Sequence, residues 1–218
     1  MKNKVFLSIE TSMNRIFLVV YNMQTLFAVH KNVQSSIEID LNNLLNKTLK
    51  KAKINFDNLD FILVSLGPGS FTGIRVGLSA AKAISLSLRK NLYGYSNFKA
   101  MLYQAIIEKK IPVNKKINLL IKSSKYDFYC QRFCEGKFEK ISVKNIDRLK
   151  KHHNEENFYL GNFKNIYDLE NFQICIPSKD SILKIVQAND LHKGDYLYKA
   201  LNPFYIKEHY AKNSSEKK

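Results

Sequence analysis

Between residues 5 and 52 the chain changes hydrophobic period once, and that change narrows the possible folds more than any other feature. Val5-Phe6-Leu7-Ser8-Ile9 reads as a buried strand. Arg15 to Tyr21 is β-branched and aromatic, and Leu26 to His30 follows a short polar turn around Asn22 to Thr25. Three extended segments in a row predict a meander. From Ile37 onward, Leu41, Leu44, Leu45, Thr48, Leu49 and Ala52 recur at three and four positions. That is the stripe of an amphipathic helix over Ile37 to Ala52.

The alternation then continues. Phe61 to Ser65 predicts a strand, Thr72 to Arg89 a helix, Leu92 to Tyr95 a short strand and Phe98 to Lys109 another helix. Three strands followed by alternating helix and strand is the layout of one ribonuclease-H-like lobe. The second half repeats the theme less fully. Ile117 to Ile121, Phe128 to Phe133 and Phe138 to Val143 predict a second meander, with Glu135-Gly136-Lys137 as its hairpin turn. Phe158 to Gly161 and a helix from Asp180 to Asn189 complete it. The expectation is an α/β chain of the actin-like kind, with two ribonuclease-H-like lobes, mixed sheets and flanking helices. Its lobes are placed at residues 1–98 and 99–211, with a disordered polar tail at 212–218. No Pro/Gly/Ser linker separates the lobes, so they are expected to pack together.

The most informative stretch is Ser65-Leu66-Gly67-Pro68-Gly69-Ser70-Phe71-Thr72-Gly73-Ile74-Arg75-Val76-Gly77. Pro68 fixes one φ between two permissive glycines, as a tight strand-to-helix turn requires. Ser70 or Thr72 can cap the helix that follows. The spacing is not that of a Walker A loop, and no lysine follows the glycines. Read alone, the turn is either structural or an anion site. Gly73, Gly77, Ala81 and Ser85 then fall four apart, forming a ridge of small side chains. An interior glycine costs about 1 kcal/mol relative to alanine, so this ridge implies close approach of another backbone. The approaching backbone belongs either to this chain or to another protein.

Gly67 to Lys82, taken with Ser8-Ile9-Glu10-Thr11-Ser12, resembles the TsaB (YeaZ) family, whose signature is a GPGSFTG-type turn leading into an [IL]R[IVL]G helix. Motif order agrees over roughly residues 4 to 100, and Pro203-Phe204-Tyr205-Ile206-Lys207 looks like the family's C-terminal element. The chain departs from the family at Lys122-Ser123-Ser124, and nothing is carried over there. The resemblance implies a cytoplasmic, non-catalytic paralogue of TsaD, the subunit that places threonylcarbamoyl on adenosine of certain tRNAs. It implies binding to a TsaD-like catalytic subunit through a bundle of two helices from each protein, with a TsaE-like ATPase joining the pair. The implied interface comprises Ile37, Leu41, Leu44 and Leu45 on the first helix. From the turn and second helix come Gly69, Ser70, Phe71, Thr72, Gly73, Arg75, Gly77 and Ala81. A homodimer through the same face is a further expectation, and tRNA is reached through the complex.

A catalytic site in this chain finds little support in the sequence. The helix from Ile37 to Ala52 lacks the H-x-x-x-H pair of TsaD-like enzymes, and no Ser/His/Asp set or HExxH motif is present. The adjacent His152 and His153 read as a solvated pair rather than metal ligands. After Gly94 only Gly136, Gly161 and Gly194 remain, too few for a glycine-rich nucleotide site in the second lobe. Glu10 with Thr11 stands where actin-like kinases place a phosphate-proximal acid, so a vestigial nucleotide contact is weighed against a capped turn. No catalytic residue, metal or firm cofactor is predicted, and a nucleotide is expected only at an interface with partners. Cys130, Cys134 and Cys175 are sparse and read as free thiols. No apolar run long enough to span a membrane and no signal peptide are found, which suits the cytoplasm. The net charge of +16 raises a rival reading as a tRNA-binding module. The basic residues are scattered, however, and the abundance of Asn, Ile, Phe and Tyr points to A/T-rich coding. An active actin-like ATPase or kinase is the enzyme rival.

Overall fold

The computed structural model describes residues 4–23, 25–32, 36–112, 115–151, 156–194, 201–204 and 206. The first meander is β1 (Val5–Glu10), β2 (Arg15–Asn22) and β3 (Thr25–Asn32), paired antiparallel. Helix α1 (Ile37–Lys51) and a 3₁₀ turn at Phe56–Asn58 lead to β4 (Phe61–Ser65), which lies parallel to β1. Helix α2 (Phe71–Leu88) then leads to β5 (Asn91–Tyr95), parallel to β4, and α3 (Asn97–Ile107) follows.

The second half holds β6 (Lys116–Lys122), β7 (Asp127–Cys134), β8 (Lys137–Phe138), β9 (Ser142–Asn145) and α4 (Ile146–Lys151). It closes with β10 (Asn157–Gly161), β11 (Phe172–Ile174), α5 (Lys179–Gln187) and β12 (His192–Gly194). The first sheet runs β12-β5-β4-β1-β2-β3 and the second β11-β10-β6-β7-β8, with β9 also on β7. In each sheet the first strand of a meander carries an antiparallel neighbour on one side and a parallel one on the other. Two ribonuclease-H-like sheets with flanking helices, the actin-like arrangement, are what this topology describes.

The period of two divides the strands between layers. Leu7, Ile9, Ile16 and Leu18 face α1 and α2, which cover them with Leu41, Leu45, Leu49, Leu78 and Ala81. Phe6, Phe17 and Val19 point the other way, against Ile182 and Ile185 of α5. Helix α3 lies between the sheets. Its Ala100 joins the first sheet's cluster, while Phe98, Met101 and Ala105 pack on Ile117, Leu119 and Leu160 of the second.

Two expectations are corrected. The strand expected at Phe138 to Val143 is broken into β8 and β9. Phe138 pairs with Phe133 and Ser142 with Cys130, so the register slips by one residue, the mark of a bulge. The second sheet occupies residues 116–174, but α5 packs on the first sheet and β12 pairs with β5. Leu201 and Phe204 also join the first sheet's core, and the Phe204 N–H donates to the Leu66 carbonyl at 2.9 Å. Buried apolar contacts thus bring α5, Leu201 and Phe204 onto the first sheet, and β12 extends it. The second correction is that α4, β11 and β12 were not expected, because each is too short to show a period. The tail at 212–218 lies outside the described residues.

Candidate functional site

The signature turn is a junction where three connections meet. Between β4 and α2 the chain passes through a cis Gly67–Pro68 peptide, and Ser70 caps α2, its Oγ accepting from the Gly73 N–H at 3.3 Å. The β1–β2 turn lies directly on this helix start. The Ser70 N–H donates to the Ser12 carbonyl at 2.8 Å, and the Thr11 hydroxyl donates to the Gly73 carbonyl at 2.6 Å. A Cβ on Gly73 would overlap the Thr11 carbonyl oxygen, and one on Gly77 would overlap the Thr11 hydroxyl. The close backbone implied by the ridge thus belongs to this chain, and it is the β1–β2 turn rather than a helix.

The third connection is Asn97, fully buried at the start of α3. Its Nδ2 donates to the Ser12 hydroxyl at 2.7 Å and to the Pro68 carbonyl at 2.9 Å, while Oδ1 accepts from the Ser65 hydroxyl at 2.7 Å. Its own N–H donates to the Gly67 carbonyl at 2.8 Å. Asn97 was missed from the sequence because Ser-Asn after a strand reads as helix capping, and Ser96 does cap α3. Asn97→Ala strands buried polar groups on three segments. We expect a loss of about 2 kcal/mol, seen as a melting midpoint lowered by roughly 4 to 8 °C.

Glu10 is 1% exposed. Its Oε1 accepts from the Ser12 N–H (2.5 Å), the Ser12 hydroxyl (2.8 Å) and the Met13 N–H (3.0 Å), and Oε2 from Arg15 Nε (3.2 Å). Arg15 in turn donates to the Pro177 carbonyl at 2.8 Å and lies over the Phe17 ring. Both oxygens of the acid are engaged by the chain's own donors. Burial, with the Glu10 charge second, pushes the Tyr95 phenol well above its ordinary value.

The remaining predicted residues separate by burial. Ile37, Leu41, Leu44 and Leu45 face the chain's own sheet and are at most 9% exposed, and Gly73, Gly77 and Ala81 are buried too. Gly69 and Phe71 are half-buried, while Ser70, Thr72 and Arg75 are exposed. The outward face of the helix pair carries other residues. Ile39 of α1 is 65% exposed and Leu86 of α2 is 51% exposed. Between the helices runs a groove of about 290 Å³ floored by Leu41, Val76 and Ala80 and edged by Asn42, Arg75 and Ser79. Of the expected interface residues, the α1 leucines, Gly73, Gly77 and Ala81 thus lie on the inner faces of the helices, and Ser70, Thr72 and Arg75 on the surface.

Among the described residues no group of three or more His, Cys, Asp or Glu is gathered as metal ligation needs, and no helix is long and apolar enough to cross a membrane. His152, His153 and His209 lie outside the described residues. The three cysteines are free. Burial raises the Cys130 thiol, and burial with the Glu108 charge pushes Cys175 up to about 12.

Residues 32–152, more than half of the chain, match the family described as TsaD, tRNA N6-adenosine threonylcarbamoyltransferase. A tRNA threonylcarbamoyladenosine biosynthesis protein TsaB from Buchnera aphidicola of Schizaphis graminum is 30% identical over 118 residues, 52% of this chain and 56% of that relative. A TsaB from Buchnera aphidicola of Baizongia pistaciae is 24% identical over 94% of this chain and 99% of the relative. A Pseudomonas aeruginosa protein with similarity to peptidase YeaZ superposes with a TM-score of 0.73 at 14% identity, covering 94% of this chain and all (100%) of the other. The chain belongs to the TsaD family, and a curated relative that matches it over nearly its full length is a TsaB protein.

Proposed function

We propose that this chain is a non-catalytic subunit of the tRNA threonylcarbamoyladenosine pathway that binds and activates a TsaD-type enzyme. The observation that carries this reading is the outward face of α1 and α2, which carries exposed Ile39 and Leu86 and a groove whose lining includes the small side chains of Ser79 and Ala80. Ser79 and Ala80 allow another helix to approach closely, and isolated large apolar residues on paired helices suit a helix-bundle interface. The engaged state of Glu10 also favours a binding role, since an acid saturated by its own loop is not presented to a phosphate or metal. Of the residues expected on the interface this reading keeps Arg75 at the surface and adds outward neighbours. Arg75, Ser79, Asn42, Ile39 and Leu86 form the interface, while the glycine ridge and the α1 leucines support it from beneath.

Sedimentation with the TsaD homologue of the same genome tests this. A one-to-one species is expected, lost in the Ile39→Glu/Leu86→Glu variant, whose own melting curve stays close to the wild type because both side chains are exposed. Independent sedimentation of the wild-type pair, with and without ATP, overturns the proposal. A TsaE-like ATPase is the expected third member, and any tRNA contact is expected within the assembled complex.

A further inference from the structure

The +16 charge is not spread evenly along the chain. Residues 122–151 carry nine Lys and Arg against four Asp and Glu, a net of +5 in thirty of the 218 residues. The fold lays much of this stretch on one face of the second sheet, the face turned away from α3. Leu119 and Ile121 pack with α3, so the period of two sends Leu120, Phe128 and Cys130 to the opposite side, where Ile146 and Leu149 of α4 cover them. Lys144 pairs with Phe128 across β9 and β7 and shares that face. Because α4 buries Ile146 and Leu149, its Arg148, Lys150 and Lys151 are left at the surface. The Lys125–Tyr126 turn joins them, since the Ile146 N–H donates to the Tyr126 carbonyl at 2.8 Å.

Lys125, Lys144, Lys150 and Lys151 form no ion pair among the described residues. Of the nearby acids, Asp127 accepts from the Ser124 hydroxyl at 3.0 Å and from Asn145 Nδ2 at 3.3 Å, and Asp147 is exposed among the cations. Tyr126 is 49% exposed, with Lys125 Nζ 5.0 Å from its ring centroid. Cations gathered at this density attract a phosphate backbone, and an exposed ring beside them offers a base a surface to stack on. A lipid surface would call for apolar anchors, and Tyr126 is the one large apolar side chain exposed in residues 122–151. We infer that this outer face of the second sheet docks folded RNA through its backbone phosphates. The choice of RNA among polyanions rests on the pathway reading above, whereas the place rests on the charge and the fold.

Fluorescence anisotropy of a labelled, unmodified tRNA transcript from the same genome, titrated with the full chain alone at several salt concentrations, tests it. The wild type is expected to bind at low salt. Lys125→Gln/Lys150→Gln/Lys151→Gln should bind at least tenfold more weakly, with the slope of log affinity against log salt reduced by about 2 to 3. All three positions are exposed, so the variant should melt like the wild type. Lys47→Gln/Lys53→Gln/Lys184→Gln removes the same charge from exposed positions off this face. That control should stay within about twofold of the wild type. Equal weakening in both variants reports only the general charge and overturns the face, as does unchanged affinity of the first variant. Failure of the wild type to bind at low salt overturns it too. Binding to phosphatidylglycerol vesicles without binding to the transcript overturns it in favour of a membrane surface. No partner protein enters this assay, so its failure is distinct from a failure of the TsaD-type pairing that sedimentation reads.

Discussion

Gly77→Leu should destabilise the protein itself, not only its grip on a partner. A side chain at this position enters space held by the Thr11 hydroxyl, which donates to the Gly73 carbonyl inside the buried junction. The leucine must displace the β1–β2 turn or shift α2 away from it, since Gly77 is buried against Thr11 and Ile9. Overpacking of this kind, with a buried hydrogen bond lost, costs about 3 kcal/mol. For a chain of this size that is a fall of roughly 6 to 12 °C in melting midpoint, measured by circular dichroism. Gly77→Ala provides the graded comparison. It gains about 1 kcal/mol of helix propensity but still crowds the hydroxyl, so its midpoint should fall between the two. A leucine variant with the wild-type midpoint and lost partner binding would mean that this face is open after all.

Glu10→Ala should have an effect of the same size for a different reason. The carboxylate is the common acceptor for donors of Ser12, Met13 and Arg15, and the Arg15 side chain is only 13% exposed. Removing one partner of a buried pair leaves an uncompensated charge and unsatisfied N–H groups, which costs about 3 kcal/mol or more. Arg15 would retain its bond to the Pro177 carbonyl and its contact with Phe17, so the damage should centre on the β1–β2 turn. Glu10→Gln keeps an acceptor and should lose roughly half as much. Urea unfolding of the three proteins orders them. Equal midpoints for wild type and Glu10→Ala would show that the carboxylate is kept for something other than the turn.

Much of the framework was legible in the chain itself. The strands of the first meander, α1, β4, α2, β5 and α3 all follow from apolar period and capping residues, because each is long enough to display a face. The signature from Gly67 to Lys82 was likewise readable, since a Gly-Pro-Gly turn before a helix with two interior glycines has few explanations. What covers that ridge was not readable. Glycine at spacing four reports that some backbone comes close, and a helix, a turn or another protein satisfies it equally well in sequence.

Only the tertiary structure decided that the close backbone is Thr11–Ser12, that Asn97 joins three segments, and that Glu10 is consumed by its own turn. Each of these contacts links positions far apart in the chain or reverses direction within three residues, where no period exists to be read. The same holds for the return of α5, β12 and Phe204 to the first sheet. Local sequence determines which residues are apolar and how often they recur. Which surfaces those residues meet is decided by the burial of all of them at once, and so by the fold as a whole.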